Sequence, residues 1–363
     1  MARFDSDEPA LADVLQKEPA YRHRQVLASL WRRGADPEEM TDLPKDLRAR
    51  LAADERLSPS LELERVDSSG TALTEKLLWR LRDGSSVETV AIRHRNRTTI
   101  CLSSQAGCAM GCVFCATGQG GFRRHLQAAE IAEQAVRARR RALEAGWPGT
   151  TNLVFMGMGE PLVNLPGVLV AVERLERLSG IPARRMVVST VGIPPGIRQL
   201  AKHAPGVGLA LSLHGARDEL RQELVPIARH WPLETILAAV EEHQRATKRR
   251  VSLEWTLIEG VNDQERDVVE LAAIARRLGA FVNLIPLNPT AGYAGRATAP
   301  AAAERFRRHL AEAGVAVALR QPRGRSVAAA CGQLAGASAG ARAGEARRQR
   351  TPVRIGRCLD AGG

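Results

Sequence analysis

Long apolar runs are missing from this sequence. No stretch of 18 or more uncharged apolar residues occurs, which excludes a conventional membrane-spanning helix. The opening residues, Met1 to Glu8, lack the apolar core of a secretory signal. Cysteine is scarce, six in 363 residues, which is too few for a disulfide scaffold. A reducing cytoplasm is therefore expected, in which thiols stay free to bind metal or react. Aromatic residues make up only 4%, which argues against a broad base-stacking platform. Acidic residues are outnumbered, 40 against 52 Lys and Arg, and the formal net charge of +12 attracts polyanions, nucleic acid foremost. The 44% hydrophobic and 25% charged content is an ordinary globular mixture and excludes global disorder.

The positive charge is unevenly placed. Residues 1–60 hold 10 basic and 12 acidic side chains, and they read as helices. Pro19-Ala20-Tyr21-Arg22 opens a helix carrying Val26, Leu27, Leu30 and Trp31 at helical spacing. Pro37-Glu38-Glu39-Met40 and Leu43-Pro44-Lys45-Asp46-Leu47 each predict a shorter helix with proline in its first turn. Residues 1–65 are thus expected as a small all-helical domain. Alternating, strand-like segments follow from about Leu61 through Ile92. Beyond Cys101, apolar strands at 99–103, 152–156, 185–189, 208–213, 251–257 and 281–286 alternate with helices at 128–144, 162–178 and 232–247. That order predicts an α/β core over 66–340, a parallel sheet curled into a full or partial (β/α) barrel, with its chemistry at the C-terminal strand ends. Residues 342–357 contain six arginines and one glutamate, so 341–363 reads as a flexible basic tail.

Cys108-Ala109-Met110-Gly111-Cys112-Val113-Phe114-Cys115 is the most informative stretch. Its three thiols can converge if the loop folds over itself, and Gly107 and Gly111 supply backbone freedom for that wrap. No fourth cysteine suits the same centre. Three thiolates suggest a 4Fe–4S cubane with one iron left open for reaction, since structural clusters and structural zinc use four ligands. Burial as small hydrophobes, or zinc with a histidine such as His125, are the alternatives. Phe155-Met156-Gly157-Met158-Gly159-Glu160-Pro161 follows the next strand: its glycines allow close approach of a ligand, and Glu160 can accept hydrogen bonds from an ammonium or ribose. Ser189, then Ser212-Leu213-His214, then Asn288 end further strands. Polar groups at successive strand ends suit one polar ligand, although each could also be a helix cap.

The CxxxCxxC loop resembles the signature of radical S-adenosylmethionine enzymes, with the aromatic Phe114 before the last cysteine. In those enzymes the open iron chelates the methionine moiety, and one electron cleaves the sulfonium to a 5′-deoxyadenosyl radical. The ordered motifs 87–90, 101–105, 114–118, 157–161, 212–214, 260–263 and 329–334 together resemble the bacterial adenine-C2 RNA methyltransferases, over nearly the whole span from Pro19 to Leu334. The resemblance implies a radical-SAM partial barrel behind an N-terminal RNA-binding helical domain. It implies methylation of carbon 2 of an adenosine in the peptidyl-transferase centre of 23S rRNA and of the adenosine 3′ to the anticodon in tRNA. It implies a cluster on Cys108, Cys112 and Cys115, and S-adenosylmethionine held by Gly159, Glu160, Ser189, Ser212, Leu213, His214 and Asn288. It also implies two S-adenosylmethionine molecules per methylation and a separate electron donor for the cluster; a monomer is expected.

Carbon 2 of adenine is electron-poor and has no acidic proton, so ordinary methyl transfer to it fails. By resemblance, Cys331 takes a methyl from the first S-adenosylmethionine, and the radical from the second abstracts hydrogen from that S-methyl group. The carbon radical adds to the base and leaves a protein–RNA thioether. Glu88 matches the family's proton acceptor, and Cys101 the thiol that resolves the adduct by a transient disulfide with Cys331. Arg123, Arg124, Arg323, Arg325 and the tail arginines are candidate phosphate contacts for drawing in a flipped adenosine. Three positions depart from the family pattern: Ser326, Trp255 and Ala228. Cys358 has no counterpart in the motifs. The rivals are the sister enzyme acting on carbon 8 of the same rRNA adenosine, and a non-catalytic RNA-binding protein with a structural metal.

Overall fold

The computed structural model describes residues 3–5, 11–70, 73–321 and 324–336. The expected basic tail, Cys358 within it, and Arg323 lie outside the described residues. Helix α1 (Ala20–Ala28) starts directly after Pro19, and it continues through Ser29–Arg33 to bury Leu30 and Trp31 beside Val26. Of the two shorter helices expected next, only α2 (Lys45–Ala53) forms. Pro37–Glu39 is a single 3-10 turn, started by reciprocal capping between Asp36 and Glu39 and ended at Met40, whose ψ of 63° leaves helical geometry.

Strands β1 (Leu61–Ser68), β2 (Thr74–Leu81), β3 (Ser86–Arg93) and β4 (Thr98–Cys101) form an antiparallel meander. Then come β5 (Gln105–Gly107), α3 (Ala116–Gln119), β6 (Phe122–His125), α4 (Ala128–Glu144), β7 (Thr151–Phe155), α5 (Leu165–Arg177), β8 (Met186–Thr190) and α6 (Pro194–His203). The chain continues through β9 (Gly208–Ser212), α7 (Asp218–Leu224), α8 (Leu233–Thr247), β10 (Ser252–Leu257), α9 (Glu265–Arg277), β11 (Phe281–Pro286), α10 (Pro300–Glu312) and β12 (Ala316–Leu319). One sheet runs β1-β2-β3-β4-β7-β8-β9-β10-β11-β12, and every pairing from β4 to β12 is parallel. Its ends do not meet among the described residues, so the parallel part is a partial barrel. Leu153, Phe155, Val188, Leu209, Leu211, Leu253, Val282 and Leu284 are buried along its strands, as a sheet covered by helices requires. Helix α5 begins three residues later than its pattern predicts, because Asn164 is spent bonding the carbonyls of Ser104 and Leu126, both at 2.8 Å. Among the described residues no helix is long and apolar enough to cross a membrane.

The change from helix to strand comes at Leu61, inside the span expected as the helical domain. The N-terminal helices share one continuous core with the barrel. Arg140 of α4 donates to the Gly34 carbonyl at 2.9 Å and to Glu39 at 2.7 Å, and Glu133 accepts the Ser60 N–H at 2.8 Å.

Register decides what shares a face of the antiparallel extension. Asp67 pairs with Lys76, Lys76 with Val90, and Val90 with Cys101, so these four stand in one row across β1 to β4. Glu88 lies two residues from Val90 and therefore on the same face.

Candidate active site

The cysteine loop leaves β4 and is bracketed by the small β5–β6 pair, where Cys108 N–H donates to the Gly121 carbonyl at 2.9 Å. Gly107 and Gly111 have φ of +76° and +70°, and a Cβ on Gly107 would meet the Gly121 oxygen at 2.0 Å. Cys115 N–H turns back onto the Cys112 carbonyl at 3.1 Å. All three cysteines line one cavity at the C-terminal ends of the parallel strands. Burial pushes the Cys108 thiol up to about 12, and Cys112 well above its usual value, with the neighbouring thiols adding repulsion. Two buried thiols that resist ionisation, with the half-buried Cys115 beside them, suit a cationic iron–sulfur centre, which would hold all three as thiolates. Among the described residues no three His, Cys, Asp or Glu side chains gather closely enough for a single ion. His125 instead pairs its Nδ1 with the Gln105 amide at 3.0 Å and does not line the cavity.

The same cavity is lined by Gly159, Glu160, Ser189, Ser212, His214 and Asn288. Each stands at or just beyond a strand end, as the α/β pattern predicts. Ser189 and Ser212 hydroxyls are 3.1 Å apart. Glu160 accepts the N–H groups of Leu162 at 3.0 Å and Val191 at 2.9 Å, yet burial dominates and lifts its carboxyl to about 7. His214, with φ of +57°, accepts the Thr256 N–H on Nδ1 at 3.0 Å, which leaves its proton on Nε2. Burial, helped by the Arg221 charge, holds this imidazole neutral, down to about 3. Leu213 does not line the cavity. Its side chain is core, its N–H donates to the Glu254 carbonyl, and its carbonyl accepts from Gly215 and Arg221.

Gly159, φ +97°, marks another close approach, where a Cβ would sit 2.5 Å from the Gln105 Cβ and 2.8 Å from its backbone nitrogen. Gly159→Ala is expected to destabilise the fold by about 1–3 kcal/mol and to weaken S-adenosylmethionine binding at least about tenfold, because strain and overlap both fall on the loop. Thermal unfolding and calorimetric titration check the two effects. Unchanged values in both would show that the loop relaxes freely.

Residues 324–336 cross the cavity as a strap without strand or long helix. Cys331, exposed to solvent, lines the cavity, with its carbonyl accepting from Asn288 Nδ2 at 3.0 Å. Although accessible, its sulfur is crowded by protein atoms, and this desolvation, with the Glu254 charge, raises its thiol while Arg320 opposes. Gly332 carbonyl accepts the Ala116 N–H at 2.7 Å, and the Leu334 carbonyl accepts the Thr117 hydroxyl at 2.5 Å. The strap is thereby stitched to the cysteine loop. Cys101, at the end of β4, lies outside the cavity lining but near enough to Cys331 that their charges interact. Burial is the larger cause of its raised thiol. Glu88 is buried beneath the strap, salt-bridged to Lys76 at 3.0 Å, with Oε2 accepting from Ala335 N–H at 2.8 Å and Gly336 N–H at 3.3 Å.

Several supports left no mark on the sequence. Arg221, on the short α7, is fully buried and donates to the Leu213 and Val191 carbonyls at 2.5 and 2.7 Å. Glu254 lines the cavity while bonded to Ser252 and Asn283 at 3.0 and 2.9 Å. Among the candidate phosphate contacts, Arg123 is exposed, whereas Arg124 is committed to Asp83 and Glu130, and Arg325 to Asn288 and the Leu287 carbonyl. Trp255 and Ala228 are core positions, and Ser326 is exposed on the strap.

Residues 102–272 match the Radical SAM superfamily. The chain is 47% identical over 352 residues to a probable dual-specificity RNA methyltransferase RlmN of Frankia alni, covering 94% of this chain and 84% of that one. It is 47% identical to the protein of the same description from Moorella thermoacetica, covering 88% and 92% of the two chains. The chain belongs to the dual-specificity RNA methyltransferase family. A radical SAM methyltransferase from Sphaerobacter thermophilus superposes with a TM-score of 0.87 at 42% identity, covering 92% of this chain and 99% of that one. Membership of this radical SAM family implies a 4Fe–4S cluster and S-adenosylmethionine, and the donor set of Cys108, Cys112 and Cys115 fits such a cluster.

Proposed function

We propose that the protein is a radical S-adenosylmethionine methyltransferase that places a methyl on carbon 2 of adenosine in 23S rRNA and in tRNA, in the cytoplasm and as a monomer. The observation that carries this reading is the placing of Cys331 in the same cavity as Cys108, Cys112 and Cys115, with Cys101 alongside. A cluster on the three cysteines would supply reductive cleavage of S-adenosylmethionine, fed by a separate one-electron donor. Glu160 would accept hydrogen bonds from the ligand's amino group, while Ser189, Ser212, His214 and Asn288 would fix its remaining polar groups; Leu213 would serve through its backbone. Cys331 would carry the methyl, with two S-adenosylmethionine molecules used per turnover. Glu88 would accept the carbon-2 proton, which requires the strap to lift, since its carboxyl is now covered and bonded. The open strand ends leave room for a flipped base once the strap moves.

Anaerobic reconstitution on rRNA fragments and tRNA, with site-resolved mass spectrometry, tests the reading. 2-Methyladenosine is expected; 8-methyladenosine alone would transfer the protein to the sister activity. Stoichiometric zinc without turnover would make it a binding protein.

The Glu160 carboxyl gives a pH signature. Its folded value of about 7 lies above the ordinary 4.5, so the stability it contributes is present in full below 4.5 and is lost as pH rises through about 7. Ligand binding runs the other way, because an ionised carboxylate accepts an N–H more strongly than a neutral acid. S-adenosylmethionine affinity is therefore expected to fall about tenfold from about pH 8 to about pH 6, and Glu160→Gln should flatten that slope. A flat profile in the unaltered protein, measured by calorimetry, would remove Glu160 from the amino-group contact.

A further inference from the structure

Lys76 belongs to none of the motifs, yet it is a buried lysine, 6% exposed, on a strand of the antiparallel extension. Buried ammonium groups are costly unless paired. Its partners explain it. Nζ stands 3.0 Å from Glu88 Oε1 and 3.8 Å from Asp67, the neighbour that the strand register places in its row. It also stands 3.5 Å from the carbonyl of Ala328, the first of two strap segments this ion pair reaches. The second is 335–336, whose N–H groups both fall on Glu88 Oε2. Between these two anchors lies Cys331.

We propose that Lys76 is a positioning residue, which with Glu88 forms a buried latch that grips the strap on both sides of Cys331 and so holds that thiol beside Cys101. The inference rests on the roles proposed for Cys331 and Cys101. Elsewhere the strap is held by Asn288 on the Cys331 carbonyl, by Ala116 and Thr117 on the Gly332 and Leu334 carbonyls and by Arg325, and it turns through left-handed positions. These include Ala328, a non-glycine residue at φ +49°, which an anchored carbonyl helps to retain. The ammonium fixes Oε1 and so aims Oε2 at the Ala335 and Gly336 N–H groups. Without it, Glu88 is a buried carboxyl free to turn away. The latch also links two proposed steps. While the strap is docked both carboxyl oxygens are occupied, so the same movement that carries Cys331 outward uncovers Glu88.

The test uses the full chain loaded with its cluster under anaerobic conditions, and reads thiols rather than turnover. N-ethylmaleimide labelling of Cys331 is followed by peptide mass on the unmethylated fraction, and formation of the Cys101–Cys331 disulfide is followed under mild diamide oxidation. Lys76→Met keeps the side-chain length without the charge. It is expected to speed Cys331 labelling about tenfold and to slow disulfide formation by a similar factor, the effect of losing one or two docking hydrogen bonds. Ala335→Pro removes one of the strap's donors without touching the sheet, and should do the same. The double variant should add little, because both changes open one latch. Wild-type labelling in folded Lys76→Met, or equal acceleration at Cys101 and Cys331, would overturn the proposal. Should Lys76→Met not accumulate as folded protein, Ala335→Pro decides alone, and unchanged Cys331 reactivity there is the refuting result. Labelling needs neither RNA nor methyl transfer. A chain inactive on RNA therefore still reports on the latch, and an active chain with an unaltered Lys76→Met refutes the latch while leaving the function in place.

Discussion

Cys331→Ala is expected to abolish RNA methylation while the cluster still assembles. The three cluster thiols and Cys331 share a cavity, but they sit on separate segments, one loop after β4 and one strap near the chain's end. The strap meets the loop through the Ala116–Gly332 and Thr117–Leu334 bonds, both of which use strap carbonyls that alanine at 331 leaves in place. Removing one exposed sulfur therefore takes away the proposed methyl acceptor and little else. Iron content, the visible spectrum and S-adenosylmethionine affinity should remain near those of the parent, with methylated adenosine lost altogether because no second nucleophile stands in its place. In the parent protein the peptide holding Cys331 should carry the mass of one extra methylene, and in the variant no cysteine should take it up. Residual methylation by Cys331→Ala would mean that the methyl reaches RNA without a thiol carrier.

How far the sequence carries such a prediction depends on whether the relevant distances are local. The cysteine loop was legible because its ligands lie within eight residues, so spacing alone brings them together. The strand ends were legible for a related reason: in a parallel sheet with helical crossovers, every strand's C-terminus faces one side, so Glu160, Ser189, Ser212 and Asn288 had to meet. Leu213 shows the limit. A motif marks three consecutive residues, but along a chain leaving a strand the middle one turns into the core. Arg221 on α7 and Lys76 on β2 drew no reading from the sequence, because nothing local distinguishes a cation that faces water from one buried against carbonyls or a carboxylate. The pairing of Lys76 with Glu88 required the register of two antiparallel strands, β2 and β3, and a shift of one residue would have turned it to the opposite face. The helical start was partly legible. Proline placed the helix beginnings, but only the structure shows that the second one ends after a single turn, at Met40.

Cys101→Ala should fail differently from Cys331→Ala, and the difference isolates the resolving step. The variant keeps the carrier and the cluster loop, so methyl loading and addition to the base go forward. What it lacks is a sulfur to take the departing Cys331. On the proposed roles, the Cys101 sulfur of the parent would bond to the Cys331 sulfur as the carbon–sulfur bond to RNA breaks. The electron pair leaves with carbon, which then takes up a proton to complete the methyl. A thioether is otherwise a poor leaving group, so Cys101→Ala should accumulate protein joined covalently to RNA, seen as a band that survives denaturing electrophoresis and disappears after ribonuclease. Burial raises the Cys101 thiol, with the Cys331 charge adding to it, so the parent's resolution should also slow as pH falls and the thiolate fraction shrinks. The double variant Cys101→Ala with Cys331→Ala should show no adduct, which assigns the link to Cys331. Full methylation by Cys101→Ala with no trapped species would leave Cys101 a core cysteine at the end of β4, paired with Val90 in the sheet.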